Sequence, residues 1–302
     1  MPSAPGPDGV CGLCVVDKPA GWTSHDVVAK ARGTLRTRRI GHAGTLDPGA
    51  TGVLLLGVGR VTRLMRFLGA LPKYYVGEIV LGTETTTLDD EGDVVATHVM
   101  QGVTLGDVRE AARSFVGEIE QVPPMVSAVK VGGRRLHQLA REGVEVERAP
   151  RRVVIHRLDV AAAGEPHVFG LTVECSSGTY VRTLAADIGR ALGGGAHLRR
   201  LRRTAIGPYT VDEATPVEAL TVLPAVEAVR ALDRVAVGDD VAAAVAHGGV
   251  FDRGALGVTG EGPWAVVHDL SGELLAVYEP RGEQVKPAVV LTAPSSATDQ
   301  SG

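Results

Sequence analysis

The segment Gly41–Leu54, GHAGTLDPGATGVL, gathers more groups able to do chemistry than any other stretch of the chain: His42, Thr45, Asp47 and Thr51, set among glycines 41, 44 and 52. Within it, the glycines and Pro48 of GHAGTLDPGATG, residues 41–52, rule out a regular element, so that stretch reads as a loop. Proline stiffens the backbone after Asp47, and the glycines let a ligand approach the main chain closely. A carboxylate held in that way suits general-base or nucleophilic work. Asp-Pro is also a common turn starter, and spacing by itself favours a plain turn. The C-x-x-C pair Cys11 and Cys14 lies inside the apolar run VCGLCVV, with no second pair or histidines to complete a zinc set. These cysteines, like Cys175 in LTVECSSG, read as core residues of strands.

The elements that must position the loop follow from hydrophobic period. GLCVVDKP reads as a buried strand ending at a Pro-Gly turn, and Ser24 as the N-cap of a helix with Val27, Val28, Ala31 and Leu35 on one face. After the loop, VLLLGVG is a strand, VTRLMRFLG a short helix, YYVGEIVLG a strand and DVREAARSFVG an amphipathic helix. RRVVIHRLDVAAA and HVFGLTVECSSG read as paired strands across the turn AGEP, and TYVRTLAADIGRALGGG as a helix stopped by glycines. Around LTVLPAVEAVRALDRVAVGD the pattern changes. Short strands then recur, GALGVTG, PWAVVHDL, ELLAVYEP and AVVLTAP, which marks residues 233–292 as a small β module. Residues 1–9 read as a disordered leader and 293–302 as a polar tail.

Composition narrows the class. The chain has 302 residues, 44% of them hydrophobic and 22% charged, the balance of an ordinary globular protein. No run of apolar residues is long enough for a membrane helix, and the N-terminus lacks the features of a signal peptide. Three cysteines point to a reducing, cytoplasmic setting. The net charge of −4 conceals an asymmetry: residues 1–232 carry 27 Lys+Arg against 25 Asp+Glu, and residues 233–302 carry 4 against 10. Residues 130–157, the knot Arg199-Arg200-Leu201-Arg202-Arg203, and Arg36, Arg38 and Arg39 are local basic clusters of the kind that hold phosphates. Any one of them alone reads first as solvated surface.

The motif G-H-x-G-x-L-D-P-x-A-T-G-x-L resembles the signature of the B-type tRNA pseudouridine synthases and their guide-dependent relatives. Four further blocks resemble the same family in the same order. Asp17-Lys18-Pro19-x-Gly21-x-x-Ser24 lies upstream. Lys73-Tyr74, then Leu81-Gly82, Thr85, Thr87, Asp89 and Gly92, follow the loop. Gln121-x-Pro123-Pro124-x-x-Ser127-Ala128-x-Lys130, ending in Ala140-Arg141-x-Gly143, forms the middle block. Cys175-Ser176-x-Gly178-Thr179-Tyr180-x-Arg182-Thr183, Asp187, Gly189 and Leu201-Arg202-Arg203 complete it. One departure is His137, which stands where the family usually has tyrosine.

The resemblance implies an α/β (α+β) fold with a mixed, mostly antiparallel central sheet and a catalytic cleft in residues 10–232, followed by a PUA-like module. It implies isomerisation of uridine 55 in the T-loop of tRNA, with no cofactor, metal, membrane, guide RNA or obligate protein partner. Asp47 would act at the ribose, Arg182 would pair with it, and Tyr74 would stack on the base and help remove the C5 proton. Tyr180 and Leu201 would line the pocket, His42 would fill the space left by the flipped nucleotide, and Lys18, Lys130 and Arg141 would meet phosphates. Rival readings are a guide-RNA-dependent synthase, a non-catalytic RNA-binding protein, and a nucleoside glycosidase with Asp89 or Asp90 as second carboxylate.

Overall fold

A computed structural model describes residues 9–125, 130–131, 134–135, 142, 144 and 146–292. Strand β1 (Gly12–Lys18) is apolar on both faces because both are covered. Leu13 and Val15 enter one core, Cys14 and Val16 another. β2 (Ile40–Ala43) and β3 (Thr51–Val58) follow, and β3 runs antiparallel to β1 with Lys18 opposite Gly52. Helix α1 (Ser24–Thr34) covers the second core with Val27, Val28 and Ala31. Its N-cap is Thr23 rather than Ser24. The Thr23 hydroxyl accepts from Asp26 N–H while the Asp26 carboxylate accepts from Thr23 N–H, a capping box that leaves the Ser24 hydroxyl free for other work.

The main sheet continues with β4 (Lys73–Leu81), then the small hairpin β5 (Thr83–Thr85) and β6 (Val94–Thr97), and β7 (Gly117–Gln121). β8 (Lys130–Val131) and β9 (Arg134–Arg135) pair with each other. β10 (Arg151–Ala162) and β11 (Val168–Cys175) form the expected hairpin, followed by β12 (Ala196–Ile206), β13 (Tyr209–Thr210) and β14 (Thr215–Pro216). Ten strands make one sheet with the path β14-β1-β3-β12-β4-β11-β10-β7, β2 lying on β3 and β13 on β12. Only the β1–β14 and β3–β12 contacts in it are parallel, so the sheet is mixed and mostly antiparallel. The run VTRLMRFLG divides into a 3₁₀ stretch, Gly59–Leu64, and helix α2 (Met65–Ala70). Helices α3 (Leu105–Arg113) and α4 (Val181–Ala191) cover what we call the inner face, where Val108, Ala112, Leu184 and Ile188 pack on Ile79, Leu171, Val173 and Leu198.

A second sheet has the order β15 (Asp233–Val237), β17 (Trp264–His268), β18 (Leu274–Arg281), β19 (Gln284–Val290) and β16 (Phe251–Asp252), with helices α5 (Asp239–Ala246) and α6 (Arg253–Leu256). GALGVTG, expected as a strand, instead closes α6, because Gly257 takes the left-handed conformation that ends a helical turn. This sheet is welded to the first. Val267, Leu274, Val277 and Val289 share a core with Val61, Leu64 and Leu68. Arg60 and Arg63 donate to the carbonyls of Leu291 (2.7 Å) and Val290 (2.6 Å), and Arg66 pairs with Glu279 at 2.8 Å.

Candidate active site

The Asp47 loop connects β2 to β3 at a fork in the sheet. Residues 55–58 of β3 pair with β2, whereas Thr51 and Gly52 pair with Arg202 and Arg203 of β12. The strands approach so closely there that a Cβ on Gly52 would lie 2.1 Å from the Arg203 carbonyl oxygen, so only glycine fits. Buried side chains bind the loop's main chain on both sides of Asp47. Arg203 donates to the carbonyls of Gly44 (3.2 Å) and Thr45 (3.3 Å), and anchors itself on that of Val53 (2.7 Å). The Ser24 hydroxyl accepts from Leu46 N–H (2.9 Å) and donates to Leu46 C=O (3.1 Å). Lys18 Nζ donates to the carbonyls of Pro48 (2.9 Å), Pro19 (2.9 Å) and Trp22 (2.6 Å). Each bond adds about 0.5–1.5 kcal/mol net, and together they fix the direction of one carboxylate.

That carboxylate meets Arg182, whose Nε lies 2.9 Å from Asp47 Oδ2. Arg182 extends from the first turn of α4 and is 3% exposed. Its Nη1 donates to Thr87 C=O at 2.8 Å and lies 3.3 Å from Asp89 Oδ2. The Thr87 hydroxyl in turn donates to the Asp89 carboxylate. One guanidinium thus joins two carboxylates across three segments of chain, held more firmly than an exposed pair.

Beside Asp47 opens a cavity of about 270 Å³, walled by Tyr75, Tyr180, Val181 and Leu201 with Lys73 and Arg203 below. Tyr180 is fixed by Gln121, which accepts from its N–H (3.0 Å) and donates to its carbonyl (3.3 Å). Leu201 faces inward because β12 bulges between Arg199 and Arg202, with Arg200 at φ +53°. A smaller hollow of about 160 Å³ lies across the Asp47–Arg182 pair, against Asp89, Asp90 and Glu91.

The fit of the sequence matches decides the family. Residues 32–181 match the TruB family pseudouridylate synthase N-terminal domain, and residues 182–239 the tRNA pseudouridylate synthase B C-terminal domain. The chain is 46% identical over 299 residues to the tRNA pseudouridine synthase B of Arthrobacter sp. (strain FB24), covering 94% of this chain and 97% of that protein. The chain belongs to the TruB family of pseudouridylate synthases. The same named protein of Thermobifida fusca (strain YX) is 44% identical over 294 residues, covering 92% and 98%. A chain of a Cbf5-Nop10-Gar1 complex superposes with a TM-score of 0.70 at 26% identity, over 97% of this chain and 93% of that one. A larger hollow of about 670 Å³ lies by α3, where Arg109 is committed to the Val160 carbonyl.

Of the residues that the TruB motifs singled out, Asp47, Arg182, Tyr180 and Leu201 come together here. Tyr74 does not. It lies on the outer face of β4, directly opposite Glu174, and its hydroxyl donates to that carboxylate at 3.1 Å. Successive strand residues face opposite ways, so the cavity receives Lys73 and Tyr75. Tyr75 is 8% exposed; burial pushes its phenol up in pKa, and the charge of Arg203 beside it pulls part of the way back. Lys18 is fully buried and bound to carbonyls, a position from which no phosphate is reached. His42 lies half-buried on β2 with its ring edge-on to His25 at 5.4 Å, and burial, His25 and Arg203 pull its pKa down to about 4. It is not among the residues that line the cavity. The side chain of Lys130, together with Arg141 and His137, lies outside the described residues. The arginine knot is not a free phosphate site: Arg199 pairs with Glu78 (2.6 Å) and Glu165 (3.0 Å), Arg200 with Glu78 (3.2 Å), and Arg202 with Asp17 (2.8 Å).

Proposed function

We propose that this chain converts uridine 55 of the tRNA T-loop to pseudouridine, acting alone on tRNA without a guide RNA. The observation that carries the reading is the Asp47 carboxylate, aimed by buried Arg182 into a cavity walled by two tyrosines and a leucine. Breaking N1–C1′, turning the base and rejoining it through C5 needs one ionised carboxylate beside the ribose and a pocket that keeps the base from escaping. The target must leave its stack to reach Asp47, and aromatic walls suit a flipped base. Tyr75 takes the stacking and proton-handling role first given to Tyr74. Lys18, Ser24 and Arg203 act as positioning residues for the loop. His42 is assigned to the RNA side of β2, and Lys130 and Arg141 to phosphate contact. Residues 233–292 serve as a PUA-like unit that buttresses α2. A cytoplasmic location suits an enzyme acting on tRNA, and among the described residues no helix is long and apolar enough to cross a membrane.

The test is direct. The purified chain, alone, is incubated with an unmodified tRNA transcript, and pseudouridine is located by a carbodiimide adduct that stops primer extension. Product at position 55 is expected. A transcript left unmodified, but modified once a guide RNA and accessory proteins are supplied, would replace this reading with the guide-dependent one.

A further inference from the structure

Two of the cations around the Asp47 cavity are buried without a counter-charge. Arg203 is 1% exposed and Lys73 is 5% exposed, and both line the cavity. Arg203 gives its hydrogen bonds to the carbonyls of residues 44, 45 and 53, and Lys73 gives its own to those of Gly69 (2.5 Å) and Leu71 (2.6 Å) at the end of α2. Among the described residues neither forms an ion pair, whereas Asp47 is already matched by Arg182. The two cations converge beneath Gly44, where a Cβ would lie 3.7 Å from Lys73 Cε and 3.8 Å from Arg203 Nη1, and glycine leaves that space open. Neutral donors would satisfy the same carbonyls with far less desolvation. A surplus of buried positive charge therefore calls for an anion that is present only part of the time.

The reaction supplies one. Whether Asp47 adds at C1′ or takes the C2′ proton, the N1–C1′ bond breaks with its electron pair on the base. The detached uracil is then a monoanion, its charge spread over the ring nitrogens and both carbonyl oxygens. The anion's electrons later form C5–C1′, which leaves the ring neutral, and loss of the C5 proton is matched by protonation of N1, so nothing is gained or lost overall. Neutral uridine gains little from the cations; the anion gains much, which is the condition for acceleration rather than mere binding. We propose that Arg203 and Lys73 form a cationic floor that stabilises the detached uracil anion. This rests on the pseudouridine synthase reading.

The experiment compares wild type with Lys73→Gln, Lys73→Arg, Arg203→Lys and Arg203→Met in single turnovers at saturating enzyme. The substrates are tRNA transcripts carrying uridine or 4-thiouridine at the target position. The sulfur of 4-thiouracil spreads negative charge better, so that base leaves with less help. Lys73→Gln, which keeps a donor but not the charge, is expected to slow the uridine substrate roughly 10- to 100-fold. The 4-thiouridine substrate should slow distinctly less, tRNA binding should persist, and Lys73→Arg and Arg203→Lys should recover much of the rate. Equal losses on both substrates, or full activity in Lys73→Gln, would overturn the inference. Should Arg203→Met fail to fold by circular dichroism, the Lys73 pair and Arg203→Lys decide alone. Wild type making no product on either transcript would instead sink the underlying reading, so the two failures remain distinct.

Discussion

Along β12, Arg199 and Arg202 point to the outer face of the main sheet and Arg203 to the inner one. The outer pair sit at 21% and 36% side-chain exposure and lie against carboxylates, Glu78, Glu165 and Asp17. Arg203, one residue further on, is almost fully buried and meets carbonyl oxygens and the Tyr75 phenol, with no carboxylate paired to it among the described residues. Outside, water has already weakened each charge, and an ion pair there adds about 0–1 kcal/mol. Inside, the same guanidinium acts at low dielectric on whatever enters the cavity. Residue type alone says little about such a charge; the face of the strand decides whether it solubilises or acts.

Removing the inner carboxylate should have the largest effect. Asp47→Asn is nearly isosteric, so tRNA binding should hold while single-turnover isomerisation falls to background; measurable turnover near the wild-type rate would remove Asp47 from the chemistry. Next comes the pair of adjacent tyrosines. Tyr75→Phe should retain binding, since stacking uses the ring face and contributes roughly 1–3 kcal/mol per base. Its bound-state rate should fall on the order of 10²–10⁴-fold if the phenol moves a proton. Tyr74→Phe, on the outer face, should lose only the Glu174 contact, about 0.5–1.5 kcal/mol of stability by urea unfolding. Equal kinetic losses in both would erase the distinction between the faces.

A smaller effect is expected from pH. Burial, then the nearby Arg203 charge, pulls Lys73 down to about 8, while Cys175 beside it is pushed up to about 11 and stays neutral in that range. Lys73 is cationic below about pH 8, so the bound-state rate should decline as pH rises through 8, and Lys73→Gln should lack that decline. Lys18 is also pulled down to about 8, and a decline that persists in Lys73→Gln would belong to it. Stability has the opposite sign. Between about pH 8 and the ordinary lysine value of 10.5 the unfolded chain binds the extra proton, so wild type should gain on Lys73→Gln as pH rises there, which urea midpoints can read. The smallest effect belongs outside: Arg199→Gln and Arg202→Gln should leave the slope of log Kd against log salt unchanged, because a guanidinium already paired releases no phosphate counterions.

Much of this arrangement was legible beforehand. Although the loop expected over residues 41–52 is shorter than its glycines suggest, since residues 41–43 belong to β2 and residues 51–52 to β3, the 151–175 hairpin and the helix carrying Arg182 follow from alternation and spacing. The choice between Tyr74 and Tyr75 did not, because YYVGEIVLG carries apolar residues at both parities, and only the packing of Ile79 and Leu81 under α3 and α4 settles which face is inner. Lys18 read as a phosphate contact because a motif lysine beside RNA suggests one; its actual partner, the Pro48 carbonyl, lies 30 residues away and is visible only once the sheet is formed. The arginine knot misled for the same reason, since Asp17 and Glu78 are distant in sequence from the arginines they neutralise.

The two-residue seam between β3 and β12 also sets an order on synthesis. Thr51 and Gly52 leave the ribosome about 150 residues before Arg202 and Arg203, their partners in the sheet. A nascent chain can close the β1–β3 hairpin early, but it must carry the Asp47 loop without Arg203 beneath it and without Arg182 against the carboxylate. Chains halted after β3 but before residue 182 should therefore pair β1 with β3 and form α1 while remaining unable to modify tRNA, and competence should arrive abruptly once β12 is complete.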